Sequence, residues 1–422
     1  MVRLSSACIF DGSGDPPFAG WVGVSHGRID RVSRGPVGGG ALGDPLVELQ
    51  EFTILPGLID AHSHLGLVGF PPDPGASVAV VAAQIFDNLR LALDEGFTTV
   101  RDLGGLDGGV VDAVRRGLVE GPRILPSGPI ISQTGGHGDW RGAFSHDRRS
   151  GNLPGLLQPS VLADGLAAVR LAGRSALRDG AAQLKVAISG GFSSDFDKLG
   201  DVQFSRDELE ALVAVARASH TYVTAHAHHA EAVRLGLDAG VECFEHGTFL
   251  DSDTVRAMHA GGAGLVATLS IVEHYQDPNE RRTLRPDLVP HAEAAFPSMC
   301  KSVRMAVDAG VTVGCGSDLT GPNQRRRGRE IAVRAGVTGP LEAVAAATSS
   351  NARILRMDGE IGALRERMAA DLVVVDGDPR DDPGLFEDGR RVRLVVRAGR
   401  LCKNTLPEPL AQAVTSAFTP AQ

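Results

Sequence analysis

Two histidines near the start of this 422-residue sequence have the type and spacing of a metal-binding pair. His62 and His64 lie in LPGLIDAHSHLG. Alternate residues of a strand point to the same face, so both imidazoles can converge on one point. Imidazole binds zinc and related ions. A lone His-x-His is a weak signal, since a polar strand end has the same pattern, but its position after an apolar segment favours a metal site.

Lys185 is the second candidate, because it lies in the apolar segment AAQLKVAISGG and is one of only four lysines among 42 basic residues. A buried ammonium must be paired, reach solvent or lose its proton. Three explanations therefore stand: the side chain reaches the surface, it forms an ion pair, or it is a neutral amine that has reacted with carbon dioxide. The resulting carbamate has two oxygens that can bridge two metals. The residues alone leave all three explanations open.

Two further histidines and an aspartate follow at regular places. His226 in TAHAHHAEA and His246 in ECFEHGT each end a strand-like segment, and they are one strand-helix unit apart. Asp318 follows the last strand-like segment, in TVGCGSDLTGP. A carboxylate there can ligate a metal and also transfer a proton.

The elements that must position these residues alternate between strand and helix. Eight short apolar segments are each followed by a helical pattern, over about 270 residues, which is typical of a (β/α)8 barrel. A doubly wound parallel sheet is the alternative fold. The predicted strand segments are residues 57–65, 98–104, 123–128, 183–190, 222–227, 242–247, 264–270 and 312–318.

Both ends of the chain are rich in short strands and glycine turns and lack a helical period. We therefore predict an α/β protein with two domains: a (β/α)8 TIM barrel of residues 56–365, and a small β-sandwich domain assembled from residues 1–55 and 366–422. Two separate β flaps are the alternative for the ends.

The composition excludes several classes of protein. Hydrophobic residues make up 43% and charged residues 22%, as in a soluble globular protein. The net charge of −9 and the lack of a basic stripe argue against nucleic acid and membrane as partners. The first residues lack the apolar core of a signal peptide, and five scattered cysteines without a CxxC fit a reduced environment, so a cytoplasmic location is expected.

The ordered set of His-x-His, Lys, His, His and Asp at successive predicted strand ends resembles the amidohydrolase superfamily, in its binuclear form with a carboxylated lysine. Several segments are similar to the Xaa-Pro dipeptidase-like and imidazolonepropionase-like hydrolases, a group that includes carboxypeptidase-like and ochratoxin-hydrolysing amidases. These segments are TGGHGD (134–139), QLKVAISGGFSS (183–194), AHAHHAEAV (225–233), FEHGTFLD (244–251) and GSDLTG (316–321).

The resemblance implies two divalent metal ions. His62, His64 and Asp318 would bind one ion, and His226 and His246 the other. Carboxylated Lys185 and a hydroxide would bridge them, and Asp318 would take the proton of the attacking water. Zinc is the expected ion, although these ligands also suit manganese, cobalt and iron.

The implied activity is hydrolysis of an amide bond that releases an α-amino acid from a dipeptide or N-acyl amino acid, including ochratoxin-type amides. Hydrolysis of a cyclic amide, lactone or imidazolone is the alternative. A metal-free scaffold is disfavoured because all six ligand positions carry competent residues, and a deaminase because those relatives generally lack the bridging lysine. The expected partner is a small molecule or dipeptide, and a homo-oligomer is compatible with the resemblance.

Four more residues are candidates for substrate binding. His137, after the third strand segment, could polarise the substrate. His228 shares the face of His226 if the strand continues, although it could instead support a ligand or begin a helix. Arg325 and Arg326, in the run of arginines 325–327, could form a cationic rim for a substrate carboxylate, against the alternative of a solvated charge run.

Overall fold

The computed structural model of the chain describes residues 1–36, 44–69, 73, 75–141, 152–194, 196–282 and 284–419. Its strands, in chain order, are β1 Val2–Ile9, β2 Phe18–Ser25, β3 Arg28–Arg34, β4 Leu46–Glu48, β5 Phe52–Pro56, β6 Leu58–Ser63, β7 Phe97–Asp102, β8 Gly105–Leu106, β9 Arg123–Pro126, β10 Ile130–Ser132, β11 Leu157–Gln158, β12 Ser160–Leu162, β13 Leu184–Ala187, β14 Val223–His229, β15 Cys243–Phe249, β16 Gly264–Ala267, β17 Val313–Cys315, β18 Leu372–Asp376, β19 Val392–Arg397 and β20 Arg400–Asn404.

The helices complete the element list, together with a π-helical turn at Ala346–Ser350 and a 3₁₀ turn at Pro383–Phe386. They are α1 Val78–Asp94, α2 Gly108–Arg115, α3 Gly165–Arg178, α4 Arg206–Ala218, α5 Ala230–Ala239, α6 Ser252–Gly261, α7 Leu269–His274, α8 Pro278–Arg281, α9 Val289–Asp308, α10 Arg329–Thr338, α11 Pro340–Ala345, α12 Asn351–Ile354 and α13 Leu410–Phe418.

Strands from both ends of the chain form one eight-stranded sheet. Its order is β20-β19-β18-β5-β1-β2-β3, with β4 paired to β1, and β5 and β18 run antiparallel. Leu4 and Ile54 from the start of the chain share a buried core with Leu372 and Leu394 from its end. The β-rich ends therefore join in one sheet.

The middle of the chain forms mainly parallel strands separated by helices. One sheet has the order β12-β10-β13-β14-β15-β16-β17, and another has the order β6-β7-β9. Each of the eight predicted strand segments contains a strand. Strands β10 and β12, three residues each, were not predicted. The mixed α/β architecture is thus confirmed.

Local sequence explains where the helices begin and end. Ser205 and Glu208 form a capping box at the start of α4, which satisfies backbone N–H groups that have no partner within the helix. Helix α5 ends at Gly240, whose φ of 89° is the left-handed conformation that glycine adopts without strain. Apolar faces of these helices pack on buried strand residues such as Leu184, Val186 and Phe244.

Two backbone contacts link the two parallel sheets. The Asp318 N–H, after β17, donates to the carbonyl of His62 in β6 at 2.9 Å. The Ala182 N–H, before β13, donates to the carbonyl of Pro126 in β9 at 2.7 Å. Gly316 lies so close to β6 that a Cβ atom there would be 2.2 Å from the Cβ of His62. A side chain at residue 316 would separate these strands.

The chain divides into two compact units. The first comprises Met1–Asp60, Leu89–Thr99 and Arg325–Gln422, and the second comprises Ala61–Asn88 and Val100–Gln324. Within the described ranges, every helix is too short or too polar to cross a membrane.

Candidate metal centre

His62, His64 and Asp318 form a compact group, here called the acid cluster, in the second unit. Strand β6 ends at the two histidines, and Asp318 follows β17. The Nε2 atoms of His62 and His64 are 3.2 Å apart, and each is 3.3 Å from Oδ1 of Asp318. Ligands at 2.0–2.1 Å around a tetrahedral zinc ion are separated by about 3.3 Å. The three atoms therefore fit three corners of one metal site.

The other ring nitrogen of each histidine in the acid cluster has its own partner. Nδ1 of His62 is 2.7 Å from Oε2 of Glu245, and Nδ1 of His64 is 2.9 Å from the carbonyl oxygen of Gly104. Such partners fix the ring orientation of metal-binding histidines. Both rings thus direct Nε2 toward Asp318.

Burial and the neighbouring groups shift the pKa values of the acid cluster in opposite directions, and the neighbouring groups have the larger effect. Burial would raise the pKa of Asp318, but the charge and hydrogen bond of His62, the hydrogen bond of His64 and the charge of His246 hold it well below its usual range. Burial would lower the pKa of His64, but the hydrogen bond and charge of Asp318 and the charge of Asp102 raise it. Asp318 is consequently an ionised carboxylate.

Lys185, His226 and His246 form a second group, here called the basic cluster, on β13, β14 and β15. The rings of His226 and His246 have centroids 4.6 Å apart. Nε2 of His226 is 3.3 Å from the carbonyl oxygen of Gly190, and Nδ1 of His246 is 2.9 Å from Oγ1 of Thr268. Burial and the positive neighbours lower the pKa of both imidazoles well below the usual value, so both are neutral, which is the form that binds metal.

Lys185 is the unusual member of the basic cluster. Its side chain is 2% exposed, and Nζ has no hydrogen-bond partner among the described residues. Burial lowers the pKa of the amine to about 8. The explanation that the side chain reaches the surface is therefore wrong, and the lack of a partner for Nζ among the described residues argues against the ion pair. A buried amine that lacks a partner fits a carbamate, since the carbamate oxygens would find their partners in bound metal.

Backbone conformation is strained at one residue of each cluster. His246 has φ of 70° and Asp318 has φ of 53°, in the left-handed region that residues other than glycine seldom adopt. Such strain is concentrated at functional sites, where the surrounding structure holds it in place.

A cavity of about 220 Å³ brings the two clusters together. All six residues of the clusters line it, as do His137 and His228. The rest of its wall is largely apolar and aromatic: Leu67, Ile130, Trp140, Phe192, Ile271, Val272 and Tyr275. The predicted ligands therefore converge on a space that can admit a small molecule.

His137 and His228 both face this space but have different supports. Nδ1 of His137 is 3.2 Å from Oδ2 of buried Asp197, and its ring stacks on His226 with centroids 4.2 Å apart. Nδ1 of His228 is 2.8 Å from Oγ1 of Thr248. His226, His228 and His246 also form a group of potential metal ligands whose atoms lie within 4.8 Å of one another.

The run of arginines 325–327 has mixed surroundings. Arg326 pairs with Glu387 at 3.3 Å. Arg327 is 1% exposed and forms an ion pair with buried Asp60, so the alternative of a solvated charge run is wrong for this residue. The cationic rim at Arg325 and Arg326 stays a prediction.

Comparison with known proteins identifies the family of this chain. The model of the amidohydrolase family matches residues 53–402. The chain belongs to the amidohydrolase family.

Among the members with known sequences, an ochratoxinase from Aspergillus niger is 31% identical over 368 residues, covering 83% of this chain and 75% of that protein. The crystal structure of a prolidase complexed with N-methylphosphonate-L-proline is 34% identical, with a TM-score of 0.88 over 96% of this chain and 99% of that chain. A Xaa-Pro dipeptidase with methionine bound in its active site is 26% identical, with a TM-score of 0.83 over 95% and 99%. The predicted resemblance to the Xaa-Pro dipeptidase-like group of amidohydrolases is thus confirmed.

Two buried charges near the clusters were not predicted. Glu245 contacts His62, and Arg101 forms an ion pair with Glu245 at 2.7 Å. Both are charged residues inside apolar strand segments, in the same way as Lys185. That signal was present in the sequence, but nothing there connects residues 62, 101 and 245.

Proposed function

We propose that this amidohydrolase is a metal-dependent enzyme that hydrolyses an amide bond and releases an α-amino acid from a dipeptide or N-acyl amino acid, including ochratoxin-type amides. One observation carries the proposal. Three ligand atoms of the acid cluster lie 3.2–3.3 Å apart, in the same cavity as the buried, unpartnered amine of Lys185. The ochratoxinase and the prolidase with its proline-derived ligand support the bond and the product class.

Two divalent ions fit the donor sets of the two clusters. His62, His64 and Asp318 would hold one ion, and His226 and His246 the other, with carboxylated Lys185 shared by both. When bound, such ions polarise the scissile carbonyl and lower the pKa of water. Neutral imidazoles and an ionised carboxylate are the protonation states that this role requires.

The chain's own groups would handle the protons and the substrate. Asp318, an ionised carboxylate at the wall of the cavity, accepts the proton of the attacking water and passes it to the departing amine. His137, oriented by Asp197, and His228, oriented by Thr248, hydrogen-bond the substrate. The apolar wall accommodates the remainder of the substrate and limits the entry of water.

We also propose that residues 56–365 form a closed (β/α)8 barrel and that residues 1–55 and 366–422 form a β-sandwich domain. The contacts of Asp318 with His62 and of Ala182 with Pro126 support closure, because they join the two parallel sheets at two places, the first of them between the edge strands β17 and β6. The eight-stranded sheet and its shared core support the second domain. In such a barrel the strand ends carry the active site.

A substrate panel tests the proposal. Protein reconstituted with zinc or manganese and bicarbonate is incubated with dipeptides, N-acyl amino acids and ochratoxin-type amides, and released amino acid is measured. We expect release by the metal-loaded protein and none after chelation. Full metal occupancy without release would contradict the proposal, and turnover confined to cyclic amides, lactones or imidazolones would favour the alternative.

A further inference from the structure

Glu245 joins the acid cluster to a buried arginine. Its carboxylate is 0% exposed, and Oε2 lies 2.7 Å from Nδ1 of His62. On its other side, Oε1 accepts hydrogen bonds from Nη2 of Arg101 at 2.7 Å and from the hydroxyl of Thr224. Each carboxylate oxygen therefore has its own partner, and the group cannot rotate without losing a hydrogen bond.

Arg101 is itself immobilised. Its side chain is 0% exposed, Nε donates to the carbonyl of Ala61 at 2.6 Å, and Nη1 donates to the hydroxyl of Tyr222 at 3.2 Å. The guanidinium stays protonated, so the buried carboxylate opposite it stays ionised. Arg101 thus fixes both the position and the charge of Glu245.

The charge of Glu245 determines the tautomer of His62. An ionised carboxylate has no hydrogen to donate, so the proton of the contact belongs to Nδ1 of His62. In the form of the ring that binds metal, the lone pair is then on Nε2, the atom that lies 3.3 Å from Oδ1 of Asp318. His64 differs, because its Nδ1 contacts a neutral carbonyl oxygen, that of Gly104.

We propose that Glu245, held by Arg101, is a positioning residue that keeps His62 in its metal-binding tautomer and makes it the stronger imidazole ligand of the acid cluster. The inference rests on the proposed function only in assigning a metal to that cluster. A carboxylate that accepts a hydrogen bond from a ligating histidine orients the ring and raises its basicity. A purely structural ion pair would stabilise the fold without affecting metal affinity.

A measurement of metal affinity distinguishes a positioning role of Glu245 from a purely structural one. In E245Q the carboxylate charge is lost while the shape is kept, and we expect affinity for one of two zinc equivalents to fall about 10–100-fold. The measurement is competition with a chromogenic chelator, with the absorption spectrum of the cobalt(II) form as a second readout. Because E245Q leaves Arg101 unpaired and could unfold the protein, the double variant R101M/E245Q removes both charges and should show the same loss.

The matched control is E342Q. Glu342 pairs with Arg334 at 2.9 Å, and Arg334 is 0% exposed, so this variant also removes a carboxylate partner of a buried arginine but changes none of the predicted ligands. It should lower the unfolding temperature and leave zinc affinity unchanged. Wild-type zinc affinity in the folded double variant would overturn the proposal. Because the readout needs no substrate, a wild-type protein that binds zinc but hydrolyses no amide would contradict the proposed function alone.

Discussion

The two clusters in the cavity differ in how complete they are. The acid cluster has three donor atoms at metal-ligand spacing, an ionised carboxylate, and a partner for the second nitrogen of each imidazole. The basic cluster has two neutral imidazoles and an amine whose Nζ has no partner among the described residues. The first is assembled from protein atoms alone, whereas the second would gain its oxygen ligands from the proposed carboxylation of Lys185.

The difference shows how unsatisfied groups indicate function. A buried polar atom without a hydrogen bond costs on the order of 1–3 kcal/mol, so it persists when something else binds it. Lys185 is such a group, beside histidines whose pKa values are lowered. The groups of the acid cluster, by contrast, have partners that orient them, which fits the proton transfer proposed for Asp318. Variants in each cluster test this division of roles.

Replacing Lys185 with alanine should have the largest effect. Without the amine no bridge forms between the clusters, so we expect kcat/KM to fall by about 10⁴-fold, or about 5.4 kcal/mol. Short carboxylic acids such as acetate or propionate should restore part of the activity by occupying the space of the carbamate. K301A, on the exposed face of α9, is the control. Near wild-type activity in K185A would show that the basic cluster is complete without a bridge.

Replacing Asp318 with asparagine should come next. The amide keeps the size of the side chain but cannot accept a proton, so kcat should fall by about 10³-fold, within the range for positioned proton transfer. Steady-state kinetics on the metal-loaded variant measure this, with D308N, an exposed aspartate in α9, as the control. A change confined to KM would assign Asp318 to substrate binding instead.

Reconstitution should depend on pH through the basic cluster. Burial lowers the pKa of Lys185 from 10.5 to about 8, and only the neutral amine reacts with carbon dioxide. At a fixed concentration of dissolved carbon dioxide, the rate at which the metal-free protein regains activity should rise about tenfold per pH unit below 8 and level off above it. A rate that still rises between pH 9 and 10 would mean that burial does not lower this pKa.

The smallest effect is expected next to the basic cluster, at Gly191. A Cβ atom there would be 2.3 Å from Cε1 of His137, the ring that stacks on His226. G191A should therefore displace His137 and lower kcat/KM by about tenfold, while zinc affinity stays unchanged. G200A is the control, because a Cβ atom at Gly200 meets nothing within 4 Å. An unchanged kcat/KM would remove His137 from the substrate-binding residues.

The residues that line the cavity were largely predictable, because they follow short-range rules. Alternation along a strand places His62 beside His64, and parallel strands bring Lys185, His226 and His246 to one edge. Contacts between distant segments were not predictable. The ion pair of Arg327 with Asp60 depends on tertiary packing, so a run that resembles a solvated surface proved partly buried. Strands β10 and β12 were missed, although β17, which is equally short, was predicted.

The hydrogen bond from Asp318 to the carbonyl of His62 has a consequence for how the enzyme matures. These two residues come from the first and last of the eight predicted strand segments, so the acid cluster does not exist until the segment around residue 318 has been synthesised and docked. An ion bound there would cross-link residues 62 and 318. Closing the long loop between them restricts the unfolded state strongly. A metal ion bound there would therefore require both segments to be in place, and a chain truncated before residue 318 would retain His62 and His64 without their carboxylate.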